Sequence, residues 1–199
     1  MFNLKAIQGI VPESLLSWVR VRVANQLSSN GQEWAQNFET HFSGTYANQW
    51  MVQDLNMFQP GATNVDDGLW DTYLTVLEEV PGLVIWQDVT KVLRDTGYWA
   101  SYNMPYFTDI AARTGAAARC ALNPDECHDT APRSLQFAKQ ERTAASIQGM
   151  MDAISYNDYK NDPISVDNSC RAISCREDLE VIEQDKRAFG AIDAKVSSA

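Results

Sequence analysis

A side-chain amide set among apolar strand residues must either be satisfied by the fold or be aimed at a ligand. Asn48 is such a group. The stretch Ser43-Gly-Thr-Tyr-Ala-Asn-Gln-Trp-Met-Val-Gln-Asp54 reads as a strand entered through Gly44. Strand alternation puts Tyr46, Asn48, Trp50 and Val52 on one face. Three of these four are large or apolar, so the face is expected to be buried. A buried amide left without partners costs about 1–3 kcal/mol. Two readings follow. Asn48 bonds neighbouring backbone as a structural residue, or its N–H donor points into a reaction site and stabilises an oxyanion.

No self-contained catalytic set stands elsewhere in the chain. There is no Gly-x-Ser-x-Gly elbow, no P-loop and no dinucleotide-binding glycine pattern. His41 and His128 are the only histidines; His41, beside Phe42, reads as a structural residue near a helix end. The carboxylate pairs Asp66-Asp67, Glu78-Glu79 and Glu177-Asp178 read as solvated surface. Cys120, Cys127, Cys170 and Cys175 fall into two sequence-local pairs, each in a polar stretch. Four cysteines allow three connectivities, of which 120–127 with 170–175 rearranges the chain least. Disulfides would imply an oxidising compartment. Reduced buried thiols and a metal site using His128 are the alternatives, although C-x6-C-H and C-x4-C are not standard zinc spacings.

The elements that must position these residues alternate between helix and strand. Pro12 suits a first helical turn, and Leu15, Leu16, Val19, Val23 and Leu27 recur at helical spacing until Ser28-Ser-Asn-Gly31. A second helix holds Trp34 and Phe38 on one face. Gln59–Gly68 is a loop by its breakers. Leu69–Val80 is a helix or strand ending at Pro81-Gly82, Leu83–Trp86 a buried strand, and Thr90–Thr96 a short helix stopped by Gly97. Tyr98–Tyr102 reads as a strand that Pro105 ends. Residues 113–132 form an excursion. Phe137–Tyr156 is an amphipathic helix whose Ile147, Met150, Met151 and Ile154 face the core. Tyr156–Asp167 is turn-rich, and Gly190–Ser197 reads as a last strand. The pattern is α+β.

With 199 residues the chain is about one domain long, and its 45% apolar content, with six Trp, seven Tyr and seven Phe, fills a large core. A formal charge of −10 argues against nucleic acid as a partner and against attraction to anionic membrane surfaces. No apolar run reaches the roughly 20 residues of a transmembrane helix. The first ten residues do not make a signal peptide.

The 43–54 stretch resembles the "TYNNQW" signature of the phospholipase B-like, or lamina-ancestor, family. Further motifs follow in order: Pro12–Arg20 resembles the entry helix, Glu79-Val-Pro-Gly82 resembles "EQIPG", and Gly97-Tyr-Trp-Ala-Ser-Tyr-Asn-Met-Pro-Tyr106 resembles "YWASYNIPY". Pro132-Arg133, Tyr156–Lys160 with Asp162-Pro163, Cys175–Leu179 and Ala191–Val196 complete the set, which covers residues 10–199.

The resemblance implies the αββα N-terminal-nucleophile hydrolase sandwich, of which this chain would supply a subset of strands as a single partial domain. It implies a hydrolase that removes acyl chains from glycerophospholipids without cofactor or metal, in a secreted or lysosomal setting. A terminal cysteine freed by self-cleavage would be the nucleophile, with its α-amine as base. That cysteine lies upstream of the signature, and none of the four cysteines here does. The chain therefore reads as an internal piece of the C-terminal fragment, its partners being the phospholipid and the N-terminal portion that carries the nucleophile. On its own it is expected to be inactive and poorly soluble, because strands lacking partners leave open edges. Asn48 would be the oxyanion donor, occupying the second Asn of the signature, where Ala47 replaces the first. Asn103 and Arg133 are further site candidates, Arg133 as a group able to orient a carboxylate or phosphate. Asp193 reads as structural. A catalytically inactive binding or structural protein derived from the same fold, and an N-acyl amide hydrolase, are the alternative functions.

Overall fold

The computed structural model describes residues 10–61 and 68–179. The sequence-predicted strand at 190–197 with Asp193, and the pair Asp66-Asp67, lie outside the described residues. The chain divides into two compact units, one up to Leu122 and one from Asn123.

The first unit is built on a three-stranded antiparallel sheet, β1 Gln49–Gln53, β2 Leu74–Val80 and β3 Leu83–Asp88, in the order β1-β2-β3. Every residue of the middle strand β2 is buried. Such burial requires cover on both faces, and the alternation of β2 sorts its side chains between two cores. Leu77 faces Ala24, Trp34, Ala35 and Phe38, from the helices α1 Ser17–Leu27 and α2 Gly31–Glu39. Leu74, Val76 and Val80 face Phe107 and Ile110, with Trp99 and Tyr106 packed at the edge. Ile110 belongs to α4 Thr108–Thr114; α3 Thr90–Thr96 contributes Val92 and Leu93 to the same side. A short helix, α5 Ala116–Cys120, closes the unit.

Local signals explain several boundaries. Asn30 caps α2 by accepting from the Glu33 amide at 2.9 Å. Gly97 ends α3 in the left-handed conformation, φ 82°. Trp34 and Phe38, four residues apart, stack with ring centroids 4.7 Å apart, and Trp50 of β1 tilts against Phe38 at 4.9 Å.

Other sequence expectations are corrected. Of the stripe expected to face the core, Leu16 just before α1, and Val23 and Leu27 within it, are 62%, 40% and 66% exposed, while Arg20 and Ala24 are buried and Val21 packs against the same core. A buried ion pair sets that rotation. Arg20 Nη2 reaches both carboxylate oxygens of Glu79, at 3.0 and 2.9 Å, and Nη1 donates to the Phe38 carbonyl at 2.7 Å. The guanidinium also lies 4.0 Å from the centre of the Phe38 ring. Glu78 and Glu79, expected at the surface, are 4% and 1% exposed. Tyr98–Tyr102 is irregular backbone and not a strand.

The second unit carries α6 Pro132–Gln140 and α7 Ile147–Ile154, separated by a 3-10 segment, Glu141–Ala145. The single helix expected over 137–156 is thus broken, and Ser146 caps α7 by accepting from the Gly149 amide at 3.0 Å. Ile147, Met150 and Met151, expected in the core, are exposed; Ala153 is the buried residue of α7. Residues 156–179 are mostly turns and short 3-10 pieces, in keeping with the turn-rich composition of Tyr156–Asp167. Cys170 pairs with Cys175, and none of the four cysteines is free.

Removing one member of a buried ion pair leaves the other charge uncompensated, which costs about 3–5 kcal/mol, whereas replacing both with apolar residues is often neutral. Arg20→Met should therefore lower the urea midpoint sharply. Arg20→Met combined with Glu79→Leu should recover most of that loss, and denaturation followed by circular dichroism reads both.

Candidate functional site

The signature stretch enters the sheet through Gly44, whose φ of 64° lies in the left-handed region. A Cβ there would stand 2.3 Å from the Pro81 nitrogen and 2.4 Å from the Pro81 Cα. Glycine is thus required twice over, by conformation and by close approach to the β2–β3 turn. Ser43 Oγ and Thr45 Oγ1 bond at 2.7 Å, and Ser17 Oγ donates to the Thr45 carbonyl at 3.2 Å. Tyr46 follows with φ 56° and is 76% exposed. The strand begins only at Gln49. The row expected to be buried therefore splits: Trp50 and Val52 pack against the α1–α2 side of the sheet, while Tyr46 and Asn48 stand in solvent. The bend at Tyr46 is the physical reason, since it breaks the alternation on which the expectation rested.

Asn48 makes no hydrogen bond among the described residues. The structural reading, an amide satisfied by neighbouring backbone, does not hold here. Its neighbour Gln49 behaves oppositely. Gln49 Nε2 donates to Glu78 Oε1 at 2.8 Å, and Gln49 Oε1 accepts from the Trp99 indole at 3.0 Å. Glu78 sits opposite Gln49 in the β1–β2 register. Its carboxylate also accepts from the Tyr106 amide at 2.8 Å and the Phe107 amide at 3.1 Å. One buried carboxylate thus holds the first residue of β1 and the 106–107 end of the 99–107 segment, while Gln49 holds the Trp99 end. Asn103 lies within that segment, exposed, in a bend before Pro105.

Gln49 and Glu78 are the members of this network that sequence reading missed. Glu78 sits in an apolar strand where a solvated side chain has no room. Its position between Leu77 and Val80, in a run that ends at Pro81-Gly82, was the available signal.

Glu79, on the opposite face of β2, is governed first by burial, which pushes its carboxyl above the ordinary value; Arg20 opposes this as the counter-charge. The Trp50 indole also favours the charged form, although its N–H completes no hydrogen bond among the described residues.

Arg133 belongs to the second unit, so it is described apart from Asn48 and Asn103. It lies on one face of α6 with Gln136 and Lys139, and all three reach the 162–172 turns. Arg133 Nε donates to the Ala172 carbonyl at 3.1 Å, Gln136 Nε2 to Ser165 Oγ at 2.9 Å, and Lys139 Nζ to Asp162 Oδ2 at 3.0 Å. Asp162 is buried and also accepts from the Tyr156 hydroxyl at 2.7 Å and the Ile164 amide at 2.9 Å. Burial alone would push Asp162 up. The Tyr156 and Ile164 donors and Lys139 outweigh it and hold the carboxyl below its ordinary range. Burial and the Asp162 charge push the Tyr156 phenol up to about 12.

His41 is exposed just past α2 with φ 56°. His128 Nδ1 lies 2.7 Å from Asp129 Oδ1. Cys170, Cys175 and Glu177 lie close together, but the two sulfurs are spent in a disulfide. No helix among the described residues is long and apolar enough to cross a membrane.

The mixed α+β architecture is what the element pattern anticipated; the buried Glu78 network is not. The phospholipase B family model matches residues 1–199, and the chain belongs to that family. It is 44% identical over 191 residues to phospholipase B-like protein B of Dictyostelium discoideum, covering 95% of this chain and 32% of that protein. It is 37% identical over 198 residues to phospholipase B of Crotalus adamanteus, and 39% identical over 198 residues to phospholipase B-like 1 of Rattus norvegicus. Each of these alignments covers 99% of this chain and 34% of the relative. The chain thus spans about a third of the length of the curated relatives it matches.

Asp162 carries a lowered folded value, so the stability it contributes is present above its ordinary value of 3.8 and lost as pH falls through the folded value. Tyr156 carries a raised value, so its contribution is complete below 10 and lost as pH rises through about 12. Asp162→Asn should weaken the acid dependence of thermal stability below about pH 4. Tyr156→Phe should remove the last tyrosinate absorbance step, near pH 12.

Proposed function

We propose that this chain is part of a phospholipase B-like acyl hydrolase acting on glycerophospholipids. The observation that carries the reading is Asn48. Its amide is exposed, makes no hydrogen bond within the described fold, and directly precedes a residue locked on both sides. A donor that the fold leaves unspent, on a fixed base, is the arrangement that oxyanion stabilisation needs.

In this reading the thiol of a terminal cysteine, supplied by the segment that precedes this chain in a longer polypeptide, attacks the ester carbonyl. The α-amine takes the thiol proton. The tetrahedral oxyanion accepts a hydrogen bond from Asn48 Nδ2. Collapse releases the glycerol-side alcohol, which carries the proton away, and water then cleaves the thioester to free the fatty acid. Asn103 is a further polar candidate beside Asn48 in the first unit, and Arg133 is a separate polar candidate carried by the second. The sheet and its helices form part of an αββα N-terminal-nucleophile sandwich, in a single partial domain. The oxidised cysteines fit a secreted or lysosomal setting.

The test is phospholipid deacylation by two preparations, this chain alone and the chain joined to its upstream segment. Activity is expected only in the second. Asn48→Ala in that protein should lower kcat by about 100- to 1000-fold, the loss expected for one oxyanion donor. Equal activity in the Asn48→Ala protein would sink Asn48's role, and activity in the isolated chain would sink the requirement for an outside nucleophile.

A further inference from the structure

Glu78 has no role in the chemistry just described, yet it receives more hydrogen bonds than solubility or packing requires. Three donors converge on its carboxylate: Gln49 Nε2, the Tyr106 amide and the Phe107 amide. Only a group with two acceptor oxygens satisfies all three. A carboxamide at this position would present a donor of its own to at least one of them. Gln49 in turn is held from its far side by the Trp99 indole.

The donors come from two segments far apart in sequence. One is the start of β1, immediately after Asn48. The other runs from Trp99 to Phe107 and contains Asn103. The second segment has no regular secondary structure over 98–107, so no backbone ladder fixes its path. Among its fixed points are side-chain and amide bonds to Gln49 and Glu78, together with packing of Trp99 and Tyr106 against the Phe107–Ile110 core. Trp99 and Tyr106 also meet edge to face, with centroids 4.9 Å apart.

We propose that Glu78 is a positioning residue for the acyl-transfer site, acting through Gln49 to fix Asn48 and through the Tyr106 and Phe107 amides to fix the Asn103 segment. This rests on the hydrolase reading for the identity of the site. A structural carboxylate would support stability alone. A positioning carboxylate also governs where the oxyanion donor stands, and a misplacement of about 1 Å costs about 100-fold in rate.

The experiment compares wild type, Glu78→Gln, Gln49→Ala and the double variant, in the chain joined to its upstream segment. Both single variants are expected to lower kcat by about 10- to 100-fold with KM within about twofold of wild type. The double variant should lose little more than Glu78→Gln alone, because the two residues act along one path. Folded single variants with wild-type kcat, losses that fall on KM instead, or fully multiplicative losses in the double variant would overturn the proposal. Gln49→Ala keeps the test open should Glu78→Gln fail to fold.

A second readout uses the same joined proteins. Hydrogen exchange at the Tyr106 and Phe107 amides should accelerate in Glu78→Gln, and exchange at the Trp99 indole should accelerate in Gln49→Ala. If the wild-type joined protein deacylates no phospholipid, the hydrolase reading fails and the positioning role with it, and this readout then decides only whether Glu78 and Gln49 anchor the 99–107 segment. Accelerated exchange supports that anchoring; unchanged exchange overturns it.

Discussion

Two carboxylates that follow one another in sequence are buried on opposite faces of β2, and the arrangement of the first unit follows from how each is satisfied. An unpaired buried carboxylate is expensive enough to unfold a marginal domain. Glu79 finds a cation, and that cation comes from α1, which must turn its Arg20 face inward to deliver it. Glu78 finds only neutral donors, and these come from β1 and from the irregular segment before α4. The two sides of the sheet are therefore held by different chemistry. One side is closed by an ion pair under an aromatic stack, the other by a fan of amide donors.

This difference decides what each face is able to do. The Arg20–Glu79 pair is sealed beneath Phe38 and Trp34 and offers nothing to a ligand. The Glu78 side holds polar groups in fixed positions at the sheet's edge, where the chain leaves β1 for solvent at Asn48. Gln49 is the pivot. By spending both ends of its own amide inward, it leaves Asn48 as the first group beyond the fold's internal bonding. Gln49 fixes the backbone one residue away, and the Asn48 amide itself is left unspent by the described fold.

Much of this was legible in the sequence where a local signal and the tertiary environment agree. The Thr90–Thr96 helix with its Gly97 stop, the paired Trp34 and Phe38, and the Cys170–Cys175 bridge were read from spacing and turn chemistry. The failures share one cause. The apolar stripe of α1 was assigned to the core by its period, but a buried charge overrode it, and a period cannot say which face a distant glutamate will claim. Asn48 was placed in a buried row by strict alternation, and the bend at Tyr46 ended that row two residues earlier. Glu78 and Glu79 were given to solvent because paired carboxylates usually are. Their burial depends on Arg20, Gln49 and the 106–107 amides, partners 28 to 59 residues away that no window of sequence contains.

The exposed apolar residues sharpen the same point. Trp18 and Leu27 on α1, and Ile147 and Met150 on α7, lie on helices whose fully buried residues are polar or small. In α1 the inward contact is chosen by specific bonding of Arg20 to Glu79 and Phe38, and in α7 the buried residue is the small Ala153. Hydrophobicity is non-directional and tolerates many rotations of a helix, whereas a buried carboxylate tolerates only the rotation that brings its donor. The orientation of α1 is therefore set by one guanidinium, and it leaves Trp18, Val23 and Leu27 exposed. The order of the signature segments on the sheet is likewise set by a single carboxylate. In this unit polar specificity, more than apolar area, chooses among the packings that the sequence allows, and it leaves the candidate oxyanion donor at the one place where that specificity ends.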